Sequence, residues 1–249
     1  MTPLLITALG LAMVATSFLS GLFGMAGGMI LIGILLAVMP VPAAMVLHAV
    51  TQMASNGWRG LLWRRHARWS AVGAYVAGCA LALGLWSLVL YVPSKPLAFI
   101  LLGLTPFLAR IVPVRLRPDP ESPLQGTIYG TVCMSSMLLT GVSGPLLDTY
   151  FLGGRLDRRE IVATKAVCQV AGHAMKLAYF GSIVDQAAML DPWLGVIAIV
   201  ASVAGTTLAR RYLEAMTDQQ YRLWAGRVIT AIALFYVGQG GWLLATAPA

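Results

Sequence analysis

Charge, and acidic charge above all, is what this sequence has least of. Nine of its 249 residues are Asp or Glu and 17 are Lys or Arg, so 10% of the chain is charged, against about 25% in a soluble domain. A globule so poor in charge could not clothe itself in water. With 59% hydrophobic residues and a mean hydropathy of +0.80, the chain reads as a polytopic membrane protein. Cysteine is also scarce: Cys79, Cys133 and Cys168 each lie in an apolar stretch. Their spacing suits neither a metal site nor a disulfide framework and is read as packing. The first 23 residues lack the basic n-region of a cleaved signal, so they read as a retained span. A helical crossing takes about 20 residues, which leaves no length for a soluble catalytic domain.

Gly, Pro and charge clusters break the apolar pattern into ten segments: 4–22, 28–39, 43–63, 70–90, 96–112, 124–140, 146–154, 160–181, 189–209 and 222–245. The second and seventh rise only ~18 Å and ~14 Å, against a hydrocarbon core of about 30 Å. Each follows a glycine-containing break, GMAGG at 24–28 and GVSGP at 141–145, and is expected to be a half-helix.

The net charge of +8 is informative only once it is placed along the spans. Arg64, Arg65 and Arg68 follow segment three; Arg110, Arg115 and Arg117 follow segment five. Arg155, Arg158 and Arg159 follow segment seven, and Arg210, Arg211 and Arg222 separate nine from ten. If all ten segments cross, every cluster falls on one side and the opposite loops hold only Lys95, Asp185 and Asp191. This positive-inside pattern predicts a multi-pass protein of the cytoplasmic (inner) membrane with both termini outside the cytoplasm. The arginines then set orientation in the lipid bilayer and are no evidence for nucleic acid. Tryptophans at the span ends, such as Trp63, Trp69, Trp193, Trp224 and Trp242, read as interfacial anchors.

A shift of 117 residues aligns 24–59 with 141–176 without a gap, with seven of 36 positions identical. The matches fall at chemically distinctive places: Gly24 on Gly141, Gly27 on Gly144, Gln52 on Gln169, and basic Arg59 on Lys176. Five segments per half is an odd number, so the second half must run through the membrane in the opposite sense. The expected fold is all-α: eight full spans plus two half-helices, in inverted five-segment repeats over 1–117 and 118–249. Such repeats mark the substrate sites of many secondary transporters.

GMAGG after the first span, the short helix behind it, the polar third helix ending in WRGLLWRRHARW and the recurrence of this plan in the second half resemble the TauE/SafE family of sulfite exporters. The resemblance spans nearly the whole chain. It implies export or permeation of small sulfur-containing anions such as sulfite, sulfoacetate or related organosulfonates, and in some members of other sulfur compounds. One departure is Pro145, which stands where the first half has Gly28.

Polarity in the spans concentrates on segments three and eight. At 100° per residue, His48, Gln52, Ser55, Asn56 and Arg59 share an arc of about 100°, and Lys165, Gln169, Gly172, His173 and Lys176 repeat it. These stripes carry cations and no carboxylate. Ionisable groups at membrane depth are costly and tend to line a pathway. His48, Lys165, Gln52, Asn56, Gln169 and His173 are therefore expected to bind substrate. Gly24, Gly27, Gly28, Gly141 and Gly144 are expected to supply backbone donors at two half-helix N-termini. Arg59 and Lys176 are candidates for gating the pathway. Asp148, on the second half-helix, is either a counter-ion for Lys165 or, with His48 and His173, a coupling group, since histidine titrates near neutral pH.

The reading that follows is a secondary transporter or facilitator for a small anion, working by alternating access without cofactor or metal. Protons are a chemically available partner, and a homodimer is compatible with the sequence. The runner-up is a proton- or cation-coupled permease for another solute. A membrane-embedded redox or lipid enzyme is disfavoured: no CxxC, no metal-spaced His/Glu set and no nucleophile beside a carboxylate occurs.

Overall fold

A computed structural model describes residues 2–23, 25–111, 113, 118–151, 156–183, 191–215 and 217–246. Ten α-helices account for nearly all of them: α1 Pro3–Phe23, α2 Met25–Val38, α3 Val41–Trp63, α4 Trp69–Val89, α5 Lys95–Ile111, α6 Pro123–Thr140, α7 Gly144–Phe151, α8 Arg158–Ile183, α9 Pro192–Ala215 and α10 Asp218–Ala245. No strand occurs among the described residues. Taken alone, Pro3–Phe23, Trp69–Val89, Pro192–Ala209 and Gly226–Ala245 are long and apolar enough to cross a membrane. The exposed Trp69, Trp193 and Trp242 lie at or near helix ends, where amphipathic rings meet headgroups.

Local chemistry explains the boundaries. Ser122 caps α6 by accepting from Gln125 N–H, and Pro123 occupies the first turn, where no donor is needed. Gly141, at φ 86, ends the same helix in the left-handed region, its N–H bonded to Met137 O at 2.9 Å. At the start of α8, Asp157 Oδ1 accepts from the N–H groups of Arg159 (2.7 Å) and Glu160 (2.9 Å), while Glu160 Oε2 accepts from Asp157 N–H at 3.0 Å. Donation from the Glu160 N–H first, then from that of Arg159, holds this exposed carboxyl below its ordinary range. An Arg68–Glu160 ion pair of 2.6 Å ties the start of α4 to that of α8.

The helices pack in pairs: α1 on α9, α4 on α6, α3 on α8 and α5 on α10. Small residues let the backbones meet. A Cβ on Gly78 would collide with the Thr127 carbonyl, one on Gly130 with that of Tyr75, and one on Gly205 with that of Val14. The central pair runs antiparallel, since His48 bonds Lys176 while Asn56 bonds Gln169. All three cysteines are buried and unpaired.

Both short helices begin earlier than the sequence pattern indicates. α2 starts at Met25, not 28, and α7 at Gly144, not 146, so Gly27, Gly28 and Gly144 lie inside a first turn. A first turn needs no intrahelical N–H partner and tolerates glycine, which the hydropathy pattern reads as a break. The expected end of the seventh segment, 152–154, lies outside the described residues.

Candidate functional site

α3 and α8 turn their polar stripes toward each other, and the first turns of α2 and α7 close the space between them. The resulting cavity is lined by His48, Gln52, Asn56 and Arg59 from α3, and by Lys165, Gln169 and His173 from α8. Gly28 and Met25 enter from α2; Gly144, with Val142 and Ser143 before it, enters from the α7 side. Two chain halves separated by more than a hundred residues thus supply one chamber. It measures about 20 Å³, room for about one water. A four-atom oxyanion needs the walls to part.

A relay of hydrogen bonds joins the two half-helix entries. His48 Nε2 lies 2.9 Å from Gly28 O, His48 Nδ1 lies 2.8 Å from Lys176 Nζ, and Lys176 Nζ donates to Gly141 O at 2.9 Å. A carbonyl oxygen only accepts, so His48 Nε2 carries a proton and a neutral ring then accepts from Lys176 through Nδ1. Lys176 is fully buried. Among the described residues no carboxylate pairs with it. It instead meets the carbonyl end of α6, the negative pole of that helix.

The matching residue of the first half does the same. Arg59 donates to Ser20 O at 3.0 Å, in the last turn of α1. Each short helix is therefore preceded by a helix whose carbonyl end holds a cation from the polar stripe.

Lys165 has a different status. Its ammonium donates to the Asp148 carboxylate, across α7 and α8, and that pair is only partly shielded. Lys165 is thus paired with a carboxylate, whereas among the described residues Lys176 is not. Asp148→Asn is expected to lower the melting temperature by leaving Lys165 unpaired. The cost is about 1–3 kcal/mol, below the range for a fully buried pair because both side chains keep some exposure. The double variant Asp148→Asn, Lys165→Met should recover most of it in a thermal-shift measurement; a double variant no more stable than the single would show that the pair does not set the cost.

Among the described residues, three buried polar atoms of the cavity lining have no hydrogen-bond partner: Gln52 Nε2, Ser143 Oγ and His173 Nδ1. Asn56 Nδ2 donates to Gln52 O at 2.9 Å and to Gln169 Oε1 at 3.3 Å, which holds the two glutamines in register. His48 and His173 approach edge to face at 5.4 Å between ring centroids.

The remaining expected residues fall differently. Gly28 lines the cavity because a Cβ there would stand 3.2 Å from Gln52 Oε1. Gly27 instead faces α1, against Thr16 and Ser20. Gly141 and Lys176 form the layer behind the chamber, and Gly24 lies outside the described residues. Ser55 turns to α9 and bonds Thr206 at 2.8 Å. Ser143, Val142 and Met25 also line the cavity; their only signal in the sequence is that they lie within the two glycine motifs.

Three basic side chains, Arg59, Lys165 and Lys176, one carboxylate, Asp148, and two helix N-termini thus gather around one small chamber. Comparison with known proteins agrees in class. A family model described as Sulfite exporter TauE/SafE matches residues 9–236. No curated protein and no solved structure matches the chain. With apolar spans, a buried cationic chamber and a family match over most of its length, this chain belongs to the TauE/SafE sulfite-exporter family of membrane transporters.

Proposed function

We propose that the protein carries a small sulfur-containing anion, sulfite, sulfoacetate or a related organosulfonate, out across the cytoplasmic membrane by alternating access at this chamber. The observation that carries the reading is Lys176: a fully buried basic side chain with no carboxylate beside it among the described residues, one hydrogen bond behind a cavity in which Gln52 Nε2, Ser143 Oγ and His173 Nδ1 lack partners. Burying a lone charge is costly, and an incoming anion relieves that cost at the moment of binding.

Two inverted repeats, 1–117 and 118–249, with eight full spans and two half-helices, are the architecture we infer for this cycle. Exchange of the halves by 117 positions turns α1 into α6, α4 into α9 and α5 into α10. The pairing α1 with α9 then becomes α6 with α4, while α3 with α8 and α5 with α10 map onto themselves. The bond from Arg59 to the end of α1 becomes that from Lys176 to the end of α6. Both correspondences support a two-fold relation between halves. Pro145 makes the second half-site poorer by one N–H donor than the first. Both termini would lie outside the cytoplasm, with the arginine-bearing ends of α3 and α8 inside. His48, His173 and Asp148 are the groups through which proton coupling would act.

Labelled sulfite and sulfoacetate flux in proteoliposomes tests the reading. Uptake or efflux above that of empty vesicles, saturable and inhibited by the other anion, is the expected result. Absence of flux for either anion in a monodisperse, reconstituted protein would sink the substrate class.

A further inference from the structure

α2 separates two cavities of opposite character. On one side is the small polar chamber; on the other a groove of about 680 Å³ runs between α2, α5 and α10. Ile34 and Ala37, Phe99, and Phe235 and Leu243 give it apolar walls, and Phe235 and Ala37 are exposed on the outer surface of the helix bundle. In a membrane such a surface meets acyl chains.

One feature of the groove is not explained by hydrocarbon. Lys95 lines its end, half-buried, and among the described residues nothing hydrogen-bonds or pairs with it. It is also the first residue of α5. A cation at a helix N-terminus adds to the positive pole of the dipole instead of offsetting it. The groove therefore offers an unpaired ammonium, an anion-attracting helix start and a long apolar trough, with Gln239 along the wall.

We propose that this groove is a binding site for an acidic glycerophospholipid, its phosphate on Lys95 and the first turn of α5 and one acyl chain laid between α2 and α10. The head matches the unpaired charge and the tail matches the trough; a free inorganic anion would leave the trough unfilled, and a zwitterionic lipid would return a cation to Lys95. The site is distinct from the anion chamber, and retention of lipid is read on the protein at rest, whether or not an anion moves.

The full-length protein, reconstituted with equal amounts of phosphatidylglycerol and phosphatidylcholine and released for native mass spectrometry, tests this. Wild type should retain one phosphatidylglycerol in preference to phosphatidylcholine by about fivefold, the worth of one lysine near an acidic headgroup. Lys95→Gln should bring the ratio to that of the vesicle. Ala37→Trp, which fills the trough without touching Lys95, should lower retention of both lipids. Equal retention of the two lipids by wild type, or an unchanged preference in Lys95→Gln, would overturn the proposal, as would undiminished retention in Ala37→Trp.

Discussion

Lys176→Met is expected to fold as well as the wild-type chain and to lose anion flux. Methionine matches the lysine stem in length, so the apolar contacts of this fully buried side chain persist. Two hydrogen bonds disappear, those to His48 Nδ1 and Gly141 O, at a cost of about 1–3 kcal/mol for the acceptors left unsatisfied. Against this, an uncompensated buried cation also disappears, and replacing buried charge by apolar atoms is often neutral or stabilising. The two effects are of similar size and opposite sign, so the melting temperature should change by only about a few degrees. The anion has no such compensation. Lys176 does not line the chamber but stands one hydrogen bond behind it, so its loss should cost about 1–3 kcal/mol of anion binding through space, a fall of roughly tenfold or more in affinity. Flux against anion concentration, measured beside a thermal-shift curve, separates the two readings. A stable variant transporting at the wild-type rate would mean that Lys176 serves the fold and not the anion.

Gly27→Val is expected to give no monodisperse protein at all. A Cβ at Gly27 would collide with the Thr16 carbonyl oxygen and stand 2.5 Å from Ser20 N, so the obstruction is backbone, which no rotamer change can relieve. α1 would have to leave α2, and with it the α1–α9 pairing and the Ser20 carbonyl that holds Arg59. Overpacking a close helix contact in this way belongs with the rare substitutions that cost more than about 4 kcal/mol. Gly57→Ala is the matched control: it sits inside α3, the nearest atom to its Cβ is a Val170 methyl at 3.9 Å, and helix propensity should favour alanine by up to about 1 kcal/mol. Fluorescence-detected size-exclusion chromatography distinguishes them. A monodisperse Gly27→Val would show that α1 and α2 need not approach so closely.

The contrast between Gly27 and its neighbour Gly28 shows how much of the site is legible in the sequence. Periodicity places His48, Gln52, Ser55, Asn56 and Arg59 on one stripe, and the repeat places Lys165, Gln169, Gly172, His173 and Lys176 on another; the cavity receives all of them but Ser55, Gly172 and Lys176. Glycine motifs marked the two short helices. Yet a glycine in a motif carries no label for what approaches it. Gly28 admits Gln52, while Gly27, one residue earlier and 100° around the helix, admits the backbone of α1.

The cations divide in the same way. Both lysines of α8 are visible in the sequence, but whether each is neutralised depends on elements that arrive from elsewhere. Asp148 comes to Lys165 from α7, and the carbonyl end of α6 comes to Lys176.

By itself the amino-acid order determined the membrane setting, the number and spacing of helical segments, and the concentration of buried polarity on two of them. Those are properties of single helices, set by residue type at a period of about 3.6. Only the tertiary structure decided which lysine meets a carboxylate and which glycine faces the chamber. It also decided that the chamber is closed to about the size of one water. The reason is that ion pairing, close backbone approach and cavity volume are set by how helices cross, and the helices that meet at this site are far apart along the chain.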